Sequence, residues 1–211
     1  MHRFLLPSCV VIPLAALLLA HVSALNIVIA GGTGRLGRAL IPKLSDHDVT
    51  VLTRNAFLAA TPSRVSSDFG HLGLSFLTKH PFVKLRDWDG GDLTDIVGQD
   101  WVGWQDDVLK SADVLVYLVG GYTQQRNMAT ERLVRESIRI NRDLLHVTVN
   151  PVEQDIPILS PGMVTVKTNR IKECEDMVKM NCFNSKCLRL EVYKMEETID
   201  RICAAILGDE S

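Results

Sequence analysis

The chain has 211 residues, 46% apolar and 23% charged, with a formal net charge of −2. That is enough apolar material for one self-sufficient core, and the slight acidity excludes the basic face that nucleic-acid binding requires. Its cysteines and histidines match no zinc-site spacing, so no metal is expected.

Residues 1–24 differ in kind from the rest. His2 and Arg3 form a short basic start, residues 10–20 are apolar, and Val22, Ser23 and Ala24 offer the small side chains a signal peptidase needs. We read a cleaved secretory signal, with residues 25–211 as the folded domain. An uncleaved anchor and an organelle presequence are the alternatives, because no Asp, Glu, Lys or Arg occurs between Phe4 and Gly34. Pro7 and Pro13 interrupt a segment of marginal spanning length, so no stable membrane span is expected after cleavage. The segment leaves three destinations open: the lumen, secretion, or a plastid reached through the secretory route.

Residues 26–30, Asn-Ile-Val-Ile-Ala, run without a break into Gly31, Gly32, Thr33, Gly34, Arg35, Leu36 and Gly37. Strand, glycine-rich turn and helix in that order predict a cradle for a dinucleotide phosphate. Gly31 permits a sharp turn, Gly34 has no Cβ to block a pyrophosphate, and Gly37 lets the helix press closely on the strand. The helix N-terminus adds unpaired N–H groups and partial positive charge. Leu36, Leu40, Ile41 and Leu44 give that helix its buried face.

Residues 48–54 read as strand two, ending roughly 20 residues past the turn, where the adenosine ribose is met. An acidic residue there would hold both ribose hydroxyls; this chain has Thr53, Arg54 and Asn55, with Arg35 nearby. Two guanidinium groups favour a 2′-phosphate, so NADP is preferred over NAD. Residues 59–81 suggest a long connection with a short helix. Residues 82–86 form strand three, and Asp92 with Leu93 just beyond it is placed to meet the adenine amino group.

Trp101 and Trp104 precede a short helix at 105–110 and close the core edge. Residues 113–119 form a nearly continuous apolar strand, as expected of one covered on both faces. It opens into Gly120 and Gly121, where missing side chains leave room for the nicotinamide ribose. A helix over 130–145 buries Leu133, Val134 and Ile138, carries Asn141, and pairs Glu131 with Arg135 outside. Strand five follows at 146–149, then a loop at 151–162, a helix at 168–180, a strand at 187–193 and a last helix stopping at Gly208. The alternation predicts an α/β, doubly wound and mostly parallel Rossmann sheet with helices on both faces. Cys174 and Cys203 fall on apolar stripes, whereas Cys182 and Cys187 flank a polar turn and are close enough in sequence to pair in an oxidising lumen.

The glycine turn, Leu52-Thr53-Arg54-Asn55, Asp92-Leu93, Val119-Gly120-Gly121 and Asn141 together resemble the extended and atypical short-chain dehydrogenase/reductases, most of all the NAD-dependent epimerase/dehydratase type. The resemblance implies a nicotinamide dinucleotide, an unidentified small-molecule substrate and a homodimer. It also implies a Tyr-X-X-X-Lys pair, in which lysine lowers the tyrosine pKa for acid–base work. The chain departs from that pattern: Tyr117, Tyr122 and Tyr193 are followed four residues on by Gly121, Arg126 and Glu197. Lys167 follows strand five with Met163 where the tyrosine would stand, so Lys167 and Tyr122 are the catalytic candidates left. The strand-five serine is missing, with Asn150 and Pro151 there, and the substrate lobe is expected to be reduced or absent. Two functions stay open: an NADP-dependent oxidoreductase or epimerase-like enzyme, and a non-catalytic nucleotide sensor, regulator or scaffold.

Overall fold

The computed structural model describes residues 24–61, 75–88, 103–120, 124–152, 161–191 and 193–208. Six strands form one sheet, β1 (Asn26–Ala30), β2 (Asp48–Thr53), β3 (Lys84–Asp87), β4 (Val114–Tyr117), β5 (Leu145–Pro151) and β6 (Asn184–Leu190). Their order is β3-β2-β1-β4-β5-β6, and every pairing is parallel. The expected doubly wound sheet is therefore present. No described helix is long and apolar enough to cross a membrane.

The central strands are buried almost throughout because both faces are covered. Alternate residues serve two apolar layers: Ile27, Ile29, Val51 and Val116 in one, Val28, Ala30, Leu52 and Leu115 in the other. The first layer is closed by α1 (Arg35–Leu40), the 3-10 turn Ile41–Leu44, α3 (Phe76–Lys79) and α7 (Met195–Leu207). The second is closed by α4 (Trp104–Leu109), α5 (Gln124–Ile140) and α6 (Pro161–Asn181), while α2 (Ala56–Ala60) follows β2. Pro42 enters where α1 tightens into the 3-10 turn, since proline has no N–H to continue the helix. Trp104 is 1% exposed and meets Trp88 edge to face at 5.7 Å, so it closes the core edge as expected.

Several boundaries differ from the sequence reading. α5 begins at Gln124, not residue 130, and ends at Ile140, which puts Asn141 outside it. The side chain of Asn141 instead donates to the carbonyls of Leu109 and Ala112, at 3.3 and 2.8 Å, and ties the α4–β4 link. α6 begins at Pro161, a position where the missing N–H has no intrahelical partner to lose. β6 covers 184–190 rather than 187–193 because polar Asn184, Ser185 and Lys186 join the ladder through their backbones, which apolar alternation does not detect. On α5 the ion pairing centres on buried Glu136, within 3.1 Å of Arg132, 3.4 Å of Arg135 and 3.0 Å of Arg139. Cys174 is buried as expected, and Cys182 and Cys187 are free thiols.

His146 lies in the second layer, 2% exposed, with its Nδ1 2.7 Å from the Tyr117 hydroxyl. Burial holds the imidazole down, at about 4, and burial followed by the nearby Cys182 and Cys187 thiols holds the Tyr117 phenol well above its usual value. Both groups are therefore neutral, and they share one hydrogen bond whose direction follows the imidazole tautomer. A histidine whose folded value lies below its unfolded 6.5 takes its proton first in the unfolded chain, so stability is lost as pH falls from 6.5 towards 4. The loss should reach about 3 kcal/mol. Urea denaturation of the wild type and His146→Gln at pH 7 and pH 4.5 reads it, and a variant with the same pH dependence as the wild type would count against His146 as the source.

Candidate nucleotide-binding cleft

The turn after β1 is built around contacts that exclude side chains. Gly31 has φ +83°, a left-handed conformation that costs other residues strain, and a Cβ there would lie 2.6 Å from the Leu118 carbonyl oxygen. The Gly34 amide donates to the Gly31 carbonyl at 3.1 Å and closes the turn. A Cβ on Gly37 would run into the Gly32 backbone, so α1 presses on the turn itself rather than on the strand as expected. Gly32 is constrained less severely and by side chains, since its Cβ would sit 2.9 Å from a methyl group of Val51. Arg38 fixes the outside of the turn: its Nε donates to the Thr33 carbonyl at 2.7 Å while its guanidinium lies 5.1 Å above the Phe76 ring.

Beside this turn a cleft of about 710 Å³ opens beyond the carboxyl ends of the strands. It lies where strand order reverses between β1 and β4, the point at which open α/β sheets bind ligands. Gly31, Thr33, Gly34, Arg35, Leu36 and Gly37 form one wall. Thr53, Arg54 and Asn55 from the end of β2, with Trp88 after β3, form the second. Leu118, Val119 and Gly120 follow β4, and Gln125 and Arg126 from α5 with Val149 and Pro151 from β5 close the far end. A Cβ on Gly120 would meet nothing within 4 Å among the described residues.

Eight expected residues thus line one cavity: Gly31, Thr33, Gly34, Arg35, Leu36, Gly37, Arg54 and Gly120. Asp92, Leu93, Gly121 and Tyr122 lie outside the described residues. Lys167 is buried within α6, 8% exposed, and is not among the residues lining the cleft, so it is neither a solvated helix-entry charge nor a described wall of the site.

Sequence reasoning missed the far end. Arg126 is 8% exposed, and its Nη2 donates to the Asn150 side-chain oxygen and, at 3.5 Å, to the Val149 carbonyl. The Asn150 amide donates to Glu175 at 2.9 Å, and Arg189 grips the same carboxylate through two bonds of 3.0 and 2.9 Å. Burial alone pushes the Glu175 carboxyl up, but the hydrogen bonds from Arg189 and Asn150 and the charges of Arg189 and Lys179 outweigh it and hold the carboxyl below its usual value. Helical spacing carried the missing signal: Arg126 stands on the inward stripe with Ala129, Thr130 and Leu133.

The architecture agrees with solved structures. A Bacillus halodurans protein assigned as an NAD-dependent epimerase/dehydratase superimposes with a TM-score of 0.52 at 12% identity, over 79% of this chain and 70% of its own. The enzyme WbmF of Bordetella bronchiseptica, solved with NAD+ and UDP, superimposes with a TM-score of 0.50 at 15% identity, over 79% of this chain and 49% of its own. The chain thus spans about half the length of WbmF. No family model and no curated protein sequence matches the chain. At these identities the likeness establishes the fold: the chain has the Rossmann architecture seen in epimerase/dehydratase-type short-chain dehydrogenase/reductases.

Because a Cβ on Gly37 meets backbone, Gly37→Ala must lift α1 off the turn and should cost about 1–3 kcal/mol. Gly120→Ala, facing open space, should leave stability unchanged. Calorimetric melting of the two variants separates these outcomes, and equal melting temperatures would refute the packing argument.

Proposed function

We propose that the chain binds a nicotinamide dinucleotide, NADP in preference to NAD, in this cleft. The observation that carries the reading is the set of eight predicted residues, from three separate stretches of sequence, around one cavity at the sheet's switch point. The residues fit the group: a glycine-rich turn admits a diphosphate to the backbone, and a volume of about 710 Å³ is within the range of cofactor sites. Arg35, at the start of α1, and Arg54, just past β2, are both exposed residues lining the cleft and would hold the 2′-phosphate as charge and fork. WbmF, with its NAD+ complex, supports the placement by sharing the fold. When bound, the cofactor supplies hydride chemistry at its nicotinamide.

We infer an oxidoreductase or epimerase-like activity that does not use Tyr-X-X-X-Lys, since no tyrosine of the chain has lysine four residues on. That same absence favours the second reading, a nucleotide sensor or scaffold. The same proposal treats residues 1–24 as a secretory signal, on their basic start, apolar middle and small-residue end.

Titration of the purified chain with NADPH and NADH tests the cofactor assignment. Arg54→Ala should weaken NADPH about tenfold, or about 1.4 kcal/mol, with less than a twofold effect on NADH. Equal losses would discard the 2′-phosphate contact, and no binding of either nucleotide would discard the function.

A further inference from the structure

We propose that Asp87 is a positioning residue for the adenosine side of the cleft: its carboxylate clasps the chain leaving β2 onto β3 and so holds the short wall that a nucleotide's ribose meets. This rests on the dinucleotide reading and deepens it.

The wall is made by Thr53, Arg54 and Asn55, where the chain leaves the sheet, and the end of this strand is where the adenosine ribose is met. Beyond Asn55 the chain enters α2, which has five residues. A helix that short does not hold itself in water, because starting it costs more than its few backbone bonds return. Burial fixes little of the segment: Arg54, Asn55 and Phe57 are exposed, although Ala59 packs on the first apolar layer. Something outside the segment must therefore set where it runs.

Two hydrogen bonds from the end of β3 do this. The Trp88 amide donates to the Thr53 carbonyl at 3.1 Å, and the Ala56 amide donates to Asp87 Oδ1 at 2.5 Å. Arg54 and Asn55 are the two residues between the anchored groups. Thr53 and Asp87 are register partners, so the Asp87 side chain extends the β2–β3 ladder past the last strand residue. A carboxylate accepting from a backbone N–H makes a charge-assisted bond, stronger than a neutral pair. β3 can act as the anchor because α4 holds it in turn: Arg86 meets Asp107 at 2.8 Å, and Trp88 packs edge to face on Trp104.

Asp87 is not among the residues lining the cleft, so it acts through the main chain of the wall and not on a nucleotide directly. Without the clasp the wall gains backbone freedom that binding must remove again, and affinity falls for any ligand whose ribose lies there. The effect is carried by the main chain, whatever the Arg54 guanidinium contacts. It is therefore common to NADPH and NADH, unlike the discrimination expected of Arg54. Asparagine in place of Asp87 keeps an oxygen that can accept from Ala56, whereas alanine removes it.

The test titrates the full chain with NADPH and separately with NADH, by calorimetry well below the melting temperature, in the wild type, Asp87→Ala and Asp87→Asn. Asp87→Ala should weaken both nucleotides about fivefold, and Asp87→Asn should stay within about twofold of the wild type for both. Amide hydrogen exchange on the same proteins reads the clasp itself, with the Ala56 amide exchanging about tenfold faster in Asp87→Ala and close to the wild-type rate in Asp87→Asn. Circular dichroism shows whether the variants fold; if Asp87→Ala does not, Asp87→Ser, whose oxygen is one bond shorter in reach, takes its place with the same losses expected. Unchanged nucleotide affinity in the alanine variant, a loss confined to one nucleotide, or a change beyond twofold in Asp87→Asn would each overturn the role. If neither nucleotide binds the wild type, the dinucleotide reading fails, and the exchange rates still decide the clasp: faster Ala56 exchange in Asp87→Ala supports it and an unchanged rate overturns it.

Discussion

The site depends on one steric constraint: between β1 and α1 the backbone packs against other backbone with no side chain between. Gly31 meets the main chain of Leu118, and Gly37 meets that of Gly32. The first contact sets how near the turn lies to the end of β4, and the second sets how steeply α1 leaves it. Together they place a strip of main chain, rather than a wall of side chains, along one side of the cleft. Hydrogen bonding stiffens the strip from within through Gly34 to Gly31, and from outside through Arg38 to Thr33. A cradle of this kind is complete before any ligand arrives, so little ordering is required on binding.

The sheet explains why the cavity is where it is. β1 sits between β2 and β4, and α1 after β1 covers one face of the sheet while α5 after β4 covers the other, so the helices diverge above the carboxyl ends of these strands. Each layer is apolar because each strand residue faces one layer or the other. His146 and Tyr117 are an exception, a polar pair in the second layer that satisfies itself at 2.7 Å. Such a pair is tolerated while both members are neutral, which links the stability of this layer to pH in a way the rest of the core is not.

The fold was legible in the sequence because its signals are local. A strand running into glycines, a nearly continuous apolar run at 113–119 and apolar helical stripes each depend on a few neighbouring residues. The adenosine half of the cleft was legible for the same reason: turn and strand end lie close in sequence. The far half was not. Arg126 in α5, Asn150 in β5, Glu175 in α6 and Arg189 in β6 become one network only when four elements meet, and no spacing along the chain announces it. Helix starts failed differently: with the helix read from residue 130, Gln125 and Arg126 fell outside it, although they line the cavity at the head of α5. Asn141 was misread because a resemblance transferred its position but not its contacts, which go to Leu109 and Ala112.

The contrast between the two poles of the cleft bears on what each can do. Exposed guanidinium groups such as Arg35 and Arg54 act through water and are weakened by salt, so under the proposed function they would bias a choice between nucleotides more than fix a geometry. A buried guanidinium held through Asn150 by a Glu175–Arg189 pair has little freedom left to lose, and its position is set to within the tolerance of the packed sheet. Discrimination is therefore placed at the solvent edge and orientation at the interior end. The network thus makes the interior end of the cleft rigid, from residues that belong to the sheet and its covering helices.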